Sequence, residues 1–409
     1  MKVGNFKTQA KNGRKRITAA VIWEDCDRPA QDIYFETPTA YGEGLFCNPH
    51  AFLVVCIIPA MRHGERRLHI DAAVCPELRD GLMTAMMWLR HWFGPDRKLT
   101  EIESRAWTPS GTPRARERSG LFLSGGVDSL AALRVNRLNY PLEHPGSYKD
   151  GLCIHGIEKG KEQQHFERAL SALSEITRED GEINLIPVYT NMRQLDDDTF
   201  FWGAEFQAAA LSAVAHAFAR RLSSVTIPAT YDLTHLDGYG SHPVLDPNYG
   251  SSDLRIRHDG ILFSRLEKTR LIADWEIALR NVRVCTHPKQ IKPEALNCGR
   301  CEKCLRTRLA LRVLGKGHAA PAFPQTEFSE EDLLARLYIK EDANTSYVIS
   351  CYQDLITASR EAGDHELARQ IEHFIARRHP RGGPTSLEFV KRRLRKVFAN
   401  LSTPPSASH

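Results

Sequence analysis

No apolar run of roughly eighteen residues occurs in the sequence, which excludes a membrane-spanning helix. The opening stretch, "MKVGNFKTQAKNGRKRITAAVIW", is polar and then strand-like, and it lacks the apolar segment of a signal peptide. The expected setting is the cytoplasm, where ten cysteines do not imply a disulfide framework. Six of them (Cys26, Cys47, Cys56, Cys75, Cys153 and Cys351) are scattered among apolar neighbours and read as small buried hydrophobes. Strong net charge is also missing. Lys and Arg number 55 against 50 Asp and Glu, and a net +5 over 409 residues does not by itself imply a nucleic-acid partner. There is no internal repeat. With 42% apolar and 26% charged residues, the composition is that of a globular chain long enough for two or three domains.

Residues 1–106 read as an N-terminal α+β domain with its own core. Strand-like runs "ITAAVIW", "QDIYFET", "AFLVVCIIPA" and "RRLHIDAAV" precede an amphipathic helix over 76–93, where Pro76 suits the first turn. Residues 107–120, rich in Pro, Gly, Ser and Arg, read as a linker. From 121 to 284 strands alternate with helices. Strands are expected at 121–124, 151–157, 183–190, 224–231 and 282–286, with helices near 128–138, 162–178 and 202–221. That rhythm predicts an α/β doubly wound parallel sheet. A cysteine-rich element spans 285–316, a helical region 328–400 begins at the N-cap Ser329, and a disordered tail closes the chain at 401–409. Between 377 and 400 stand Arg377, Arg378, Arg381, Lys391, Arg392, Arg393, Arg395 and Lys396 against the single acid Glu388. Such a run is either a solvated helix face or a contact for a phosphate-bearing or acidic partner.

In "LFLSGGVDSLAAL" a greasy strand runs into Ser124, Gly125, Gly126, Val127, Asp128 and Ser129, and then into a helix. A glycine-rich turn at a strand's carboxyl end, followed by a helix N-terminus, exposes backbone N–H groups and makes an anion site. Ser124 and Ser129 add hydroxyl donors. A carboxylate at 128 repels bare phosphate, so Asp128 either holds Mg2+ or caps the helix. The spacing is neither that of the kinase P-loop nor that of the dinucleotide fingerprint. The bland alternative is a tight turn with a capped helix.

Cys285 precedes Cys298 by thirteen residues, and Cys301 and Cys304 follow at C-x2-C-x2-C spacing. Four thiolates suit a closed tetrahedral zinc site, and they also suit an iron–sulfur cluster. A redox C-x2-C would leave the other two thiols without a use.

The run from Ser124 to Ser129 resembles the pyrophosphate loop of the N-type ATP pyrophosphatases. Together with a lone Cys285 and then Cys298-Gly-x-Cys301-x-x-Cys304, the chain resembles the 7-cyano-7-deazaguanine synthase family over about residues 119–316. The resemblance implies an adenine nucleotide alpha hydrolase-like fold that binds ATP and Mg2+ through residues 124–129, with Zn2+ held by the four cysteines. It maps Lys268, in "RLEKTRLIADW", onto a lysine expected to contact ATP phosphates. Asp128, Ser129 and Lys268 would then carry the catalysis. The implied reaction adenylates the carboxylate of a 7-deazaguanine-type acid, releases pyrophosphate and passes the acyl group to an amine. Ammonia would give an amide or nitrile, and a protein amine would give a conjugate.

The segments outside the core are additions to the free-standing synthases. They point slightly to a larger amine acceptor or a partner protein, and to the multi-gene antiphage defence systems in which such proteins also occur. The loop 230–260, with Asp232, His235, Asp237, His242, Asp246, Asp253, His258 and Asp259, is expected to bind substrate. Two other functions fit the same residues. One is an RNA-modifying enzyme, supported only by the basic C-terminal run. The other is a nucleotide-sensing subunit without turnover.

Overall fold

The computed structural model describes residues 1–107, 118–157, 163–285, 291–292, 295–317, 321–324, 328–337, 339 and 345–378. The chain divides into two compact units, residues 1–326 and 327–409. The first is mixed α/β, built on one ten-stranded sheet. Its strands are β1 (Lys2–Lys11), β2 (Arg14–Ile22), β3 (Gln31–Pro38), β4 (Arg67–Ala73), β5 (Glu101–Arg105), β6 (Ser119–Phe122), β7 (Tyr148–His155), β8 (Asn184–Thr190), β9 (Ser224–Pro228) and β10 (Arg255–Asp259). They lie in the order β10-β9-β6-β7-β8-β3-β2-β1-β4-β5. The five from β10 to β8 are all parallel, β1, β2 and β3 pair antiparallel, and β4 and β5 return to parallel. The turn Asn12-Gly13, both with positive φ, is the hairpin chemistry that joins β1 to β2.

The helices of this unit are α1 (Pro49–Arg62), α2 (Pro76–Phe93), α3 (Val127–Asn139), α4 (Gln163–Asp180), α5 (Thr199–Phe201), α6 (Gln207–Ala217), α7 (Arg265–Ala273), α8 (Glu276–Asn281) and α9 (Glu302–Val313). They cover both faces of the sheet. Successive side chains of a strand point to opposite faces. Leu121 and Leu123 accordingly join a core with α3, α4 and α7, while Phe122 joins the other core with α1, α2 and α6. Burial on both faces is why these strands read as continuous apolar runs.

Four expectations need correction. Residues 51–60 are not a strand. They belong to α1, whose residues from Ala51 to Met61 are all buried. An all-apolar run has no periodicity to separate strand from helix, and the capping Asn48 with Pro49 was the available start signal. Residues 1–106 do not form a core of their own. Phe35 and Glu36 of β3 pair with Thr190 and Tyr189 of β8, and Thr37 Oγ1 donates to Pro187 O at 2.8 Å. One apolar cluster therefore runs from Met1 to Ile256. The expected linker falls mostly on 108–117, outside the described residues, and its end, Ser119-Gly120, is already strand β6. Residues 282–285 form no strand, because the N–H groups of Val284 and Cys285 donate to the Asn297 side chain instead.

The helix expected over 202–221 is broken by a π-helical turn, Trp202–Phe206. A loop residue, Gly240, fills the break. Gly240 donates to Gly203 O at 3.1 Å and accepts from Ala208 N at 2.8 Å. A Cβ at Gly240 would lie 2.6 Å from the Gly203 oxygen, so only glycine fits.

The second unit holds α10 (Glu330–Arg336), α11 (Thr345–Glu361) and α12 (His365–Arg378). Ser329 is the N-cap of α10 as expected, and Asp332 completes a capping box with it. The turn between α11 and α12 contains Gly363 at φ +79°, and the Tyr352 and Phe374 rings meet at 5.0 Å. The basic run from 379 onward and the tail 401–409 lie outside the described residues.

Two measurements check this packing. Ile57→Ala and Ile58→Ala, at adjacent buried positions of α1, should each lower the unfolding free energy by about 2–5 kcal/mol in urea. A half-buried strand there would leave one of the two nearly silent. The second measurement concerns His216, which is fully buried and pushed down to about 3 by burial and by His50, itself pushed down to about 4 by burial. The unfolded histidines take protons first as pH falls below 6.5. Stability should be fully present above that pH and fall toward pH 4 and then 3, by about 1.4 kcal/mol per pH unit for each histidine. His216→Gln should flatten the profile.

Candidate functional site

Strand order runs outward from β6 in two directions, to β7 and β8 on one side and to β9 and β10 on the other. In open parallel sheets the crevice beside such a reversal, at the strands' carboxyl ends, is where ligands bind. The stretch from Ser124 to Ser129 sits there. After β6 the chain turns at Gly125, φ +77°, a conformation that only glycine adopts without strain. Gly126 then N-caps α3 with φ −76° and ψ 162°, which any residue can adopt. A Cβ at Gly126 would meet only Ser124 Oγ at 3.4 Å and Arg283 O at 3.7 Å. Neither its backbone nor its packing demands glycine, so the use of glycine lies in the space in front of the loop.

The serine hydroxyls brace the turn. Ser129 Oγ donates to Gly126 O at 3.0 Å, Gly126 N donates to Ser124 Oγ at 3.3 Å, and the two hydroxyls lie 3.3 Å apart. Val127 is buried beneath the loop and anchors α3. Asp128 stands in the first turn of α3, where the helix dipole favours a carboxylate. Among the described residues its side chain bonds no backbone N–H of α3. Its Oδ1 accepts from Arg265 Nη1 at 2.9 Å and lies 3.8 Å from Lys268 Nζ. Among the described residues, Oδ2 accepts no hydrogen bond.

Lys268 is no surface lysine. It is 2% exposed and donates to Ala229 O at 2.8 Å and Thr230 O at 3.2 Å, just past the end of β9. The capping box of Ser264 and Glu267 starts α7, which packs on α3 and so brings Arg265 and Lys268 to the loop. Lys303, in the first turn of α9, joins them. Its side chain reaches solvent, yet desolvation and then the Arg265 and Arg306 charges lower its pKa from the ordinary lysine value. The loop is thus surrounded by positive groups, which suits an anion.

The four cysteines converge. Cys285, Cys298, Cys301 and Cys304 are buried, and their Sγ atoms all lie within 4.8 Å of one another. The separations are 3.4 Å for Cys301–Cys304, 3.8 Å for Cys301–Cys285 and 3.9 Å for Cys298–Cys304. These are far too long for a disulfide. Thiolates about 2.3 Å from a tetrahedral zinc ion are about 3.8 Å apart. An iron–sulfur cluster sets several atoms between its thiolates and needs them wider apart. The group can hold a single metal ion such as zinc.

Local structure suits a metal ion. Gly299 takes φ +75°, Cys301 N donates to Cys298 Sγ at 3.3 Å, and Cys301 caps α9 so that the helix N-terminus faces the sulfurs. Hydrogen bonding from Cys285 first, then Cys301 and Cys304, pulls the Cys298 thiol below its ordinary value, while the neighbouring sulfurs, Cys285 foremost, push the Cys301 and Cys304 thiols up. Four thiolates this close require a cation between them.

Sequence reasoning missed Asn297. It is fully buried, accepts from Val284 N at 2.8 Å and Cys285 N at 3.1 Å, and donates to Val282 O at 2.8 Å and Ala322 O at 2.9 Å. All four of its bonding positions are used, and they tie Cys285 to the knuckle. Its place immediately before Cys298 was the only signal. Arg265 and Arg283 were missed because a single charged residue in a sequence defaults to the surface.

The acids and histidines of 230–260 mostly build the loop itself. Asp232 accepts from Thr234 N at 2.9 Å and lies 2.8 Å from His235 Nδ1. Asp246, fully buried, accepts from Ser241 Oγ and His242 N at 2.8 Å and lies 2.7 Å from His258 Nδ1. His258 and Asp259 belong to strand β10, so the segment ends as an edge strand and not as loop.

Among the described residues no helix is long and apolar enough to cross a membrane. Comparison with protein-family models, with curated proteins and with solved structures found no match.

The purified protein should carry about one zinc per chain by elemental mass spectrometry. Cys301→Ser and Cys304→Ser should lose it together with thermal stability. A colourless protein with zinc is expected, and a coloured one with several irons would contradict the tetrahedral assignment.

Proposed function

We propose that the chain is an ATP-dependent carboxylate–amine ligase of the 7-cyano-7-deazaguanine synthase type, on an adenine nucleotide alpha hydrolase-like fold. The observation that supports this most is the turn from Ser124 to Ser129. It stands at the strand-order reversal, opens the 13-residue helix α3, and has Arg265, Lys268 and Lys303 beside it. The cradle and the four-thiol knuckle adjoin in one unit, as the sequence resemblance leads one to expect.

The substrate carboxylate oxygen attacks the α-phosphorus of ATP, the bond to the bridging oxygen breaks, and pyrophosphate leaves with that electron pair. The backbone N–H groups from Gly125 to Ser129, the Ser124 and Ser129 hydroxyls and Lys268 bind the phosphate oxygens and take up the charge that develops there. Asp128 would hold Mg2+, which supplies further neutralisation of the phosphates. Its Oδ2 is open to this role, and Arg265 shares Oδ1. An amine nitrogen then attacks the acyl carbon and AMP leaves. Zn2+ at the four cysteines is structural, because four protein ligands close its coordination shell.

The acid is a 7-deazaguanine-type acid. Strands β1 to β5 and the helical unit exceed what a small-molecule synthase needs. This supports a larger amine acceptor, on a protein, and a place in multi-gene antiphage defence. Ammonia remains the acceptor for an amide or nitrile product. No observation favours an RNA substrate, since the basic run at 379–400 lies outside the described residues.

Incubation with ATP, Mg2+, 7-carboxy-7-deazaguanine and ammonium should release AMP and pyrophosphate in step with loss of the acid. Asp128→Ala and Lys268→Ala should each slow this by on the order of a hundredfold or more. The mass of the product, on the small molecule or on a co-expressed protein, names the acceptor. Bound ATP without release of AMP would replace the ligase with a nucleotide-sensing subunit.

A further inference from the structure

Residues 282–285 lie between the two halves of the site and belong to no helix or strand. At one end of this segment, Cys285 supplies a thiol to the four-cysteine group. Two residues earlier, Arg283 N donates to Gly125 O at 2.8 Å. Its guanidinium donates to Ser124 O, from Nη2 at 3.2 Å and from Nε at 3.4 Å. Between them, Val284 N and Cys285 N are held by Asn297, the residue before Cys298. The carbonyls gripped by Arg283 belong to the two residues whose geometry makes the turn, including Gly125 at φ +77°. Fixing the Ser124 and Gly125 carbonyls fixes the peptide planes that aim the N–H groups of Gly125 and Gly126.

We propose that Arg283 is a positioning residue through which a metal ion on the four cysteines sets the geometry of the Ser124–Ser129 loop. The cation is what ties Cys285 to the three knuckle sulfurs, so without it the segment carrying Arg283 is released with Cys285. The coupling concerns the loop's own backbone and holds whether or not its ligand is ATP. Its failure is therefore distinguishable from failure of the ligase reading.

Hydrogen exchange of the full-length protein, with no nucleotide present, tests this. Samples are the zinc-loaded protein, the same protein stripped by a chelator, and zinc-loaded Arg283→Ala and Arg283→Lys. Metal removal should speed exchange of the Arg283 amide and of the amides over 123–130 on the order of tenfold, within the usual range of coupling between sites. The amides of β7 and β8 should be unchanged. Arg283→Ala should speed exchange over 123–130 while keeping its zinc, and Arg283→Lys, which still offers a cationic donor, should restore part of the protection. Chelation that opens only 285–304, or that loosens β7 and β8 equally, would overturn the proposal. So would an Arg283→Ala variant with a fully protected loop.

Discussion

The strand β6 lies inside a parallel sheet, with β9 and β7 hydrogen-bonded on either side. Its chain must leave the sheet at the carboxyl end and turn at once into α3. Only a left-handed residue makes that reversal in so few steps, and Gly125 supplies it. The same reversal presents the loop's N–H groups and the positive end of α3 in one direction, beside the reversal of strand order. The rest of the site conforms to this turn. Arg265 and Lys268 arrive on α7, Lys303 arrives on α9, and Asp128 is held among their charges.

The four-cysteine group belongs to the same construction. Asn297 joins Cys285 to the knuckle ligands, and Arg283 carries the link onward to the carbonyls of Ser124 and Gly125. Helix α9 opens at Cys301, and its first turn presents Lys303 to the Asp128 neighbourhood and Cys304 to the other sulfurs. A tetrahedral cation here would orient one anion-facing charge and one loop clamp. A core packed from hydrophobes alone gives less directional control, since apolar contacts fix volume more than orientation.

The sequence made the parallel half of the sheet legible. Buried strands such as β8 and β9 are short apolar runs with turn residues at their ends, and the helices between them carry a clear period. Spacing also identified the four cysteines, which need little else to converge. Four things were hidden. The run 51–60 lies in α1, buried on every side, so it carried no period. The joining of β3 to β8 depends on contacts such as Thr37 with Pro187, some 150 residues apart, which no local pattern encodes. The acids and histidines of 230–260 looked like ligand groups, yet Asp232 and Asp246 spend their bonding on the loop itself. Charged residues gathered from α7, α9 and the segment before Cys285 became a cluster only through folding.

The most direct test of the proposed pyrophosphate cradle uses Gly126, whose backbone is open to any residue and whose Cβ would meet no clash within the protein. Calorimetric titration of pyrophosphate with Mg2+ would compare the native protein with Gly126→Ala. The cradle predicts an unchanged melting temperature and an affinity weakened on the order of tenfold or more, because the new methyl group occupies the space where the anion approaches the amides. Equal affinity in the two proteins would contradict it.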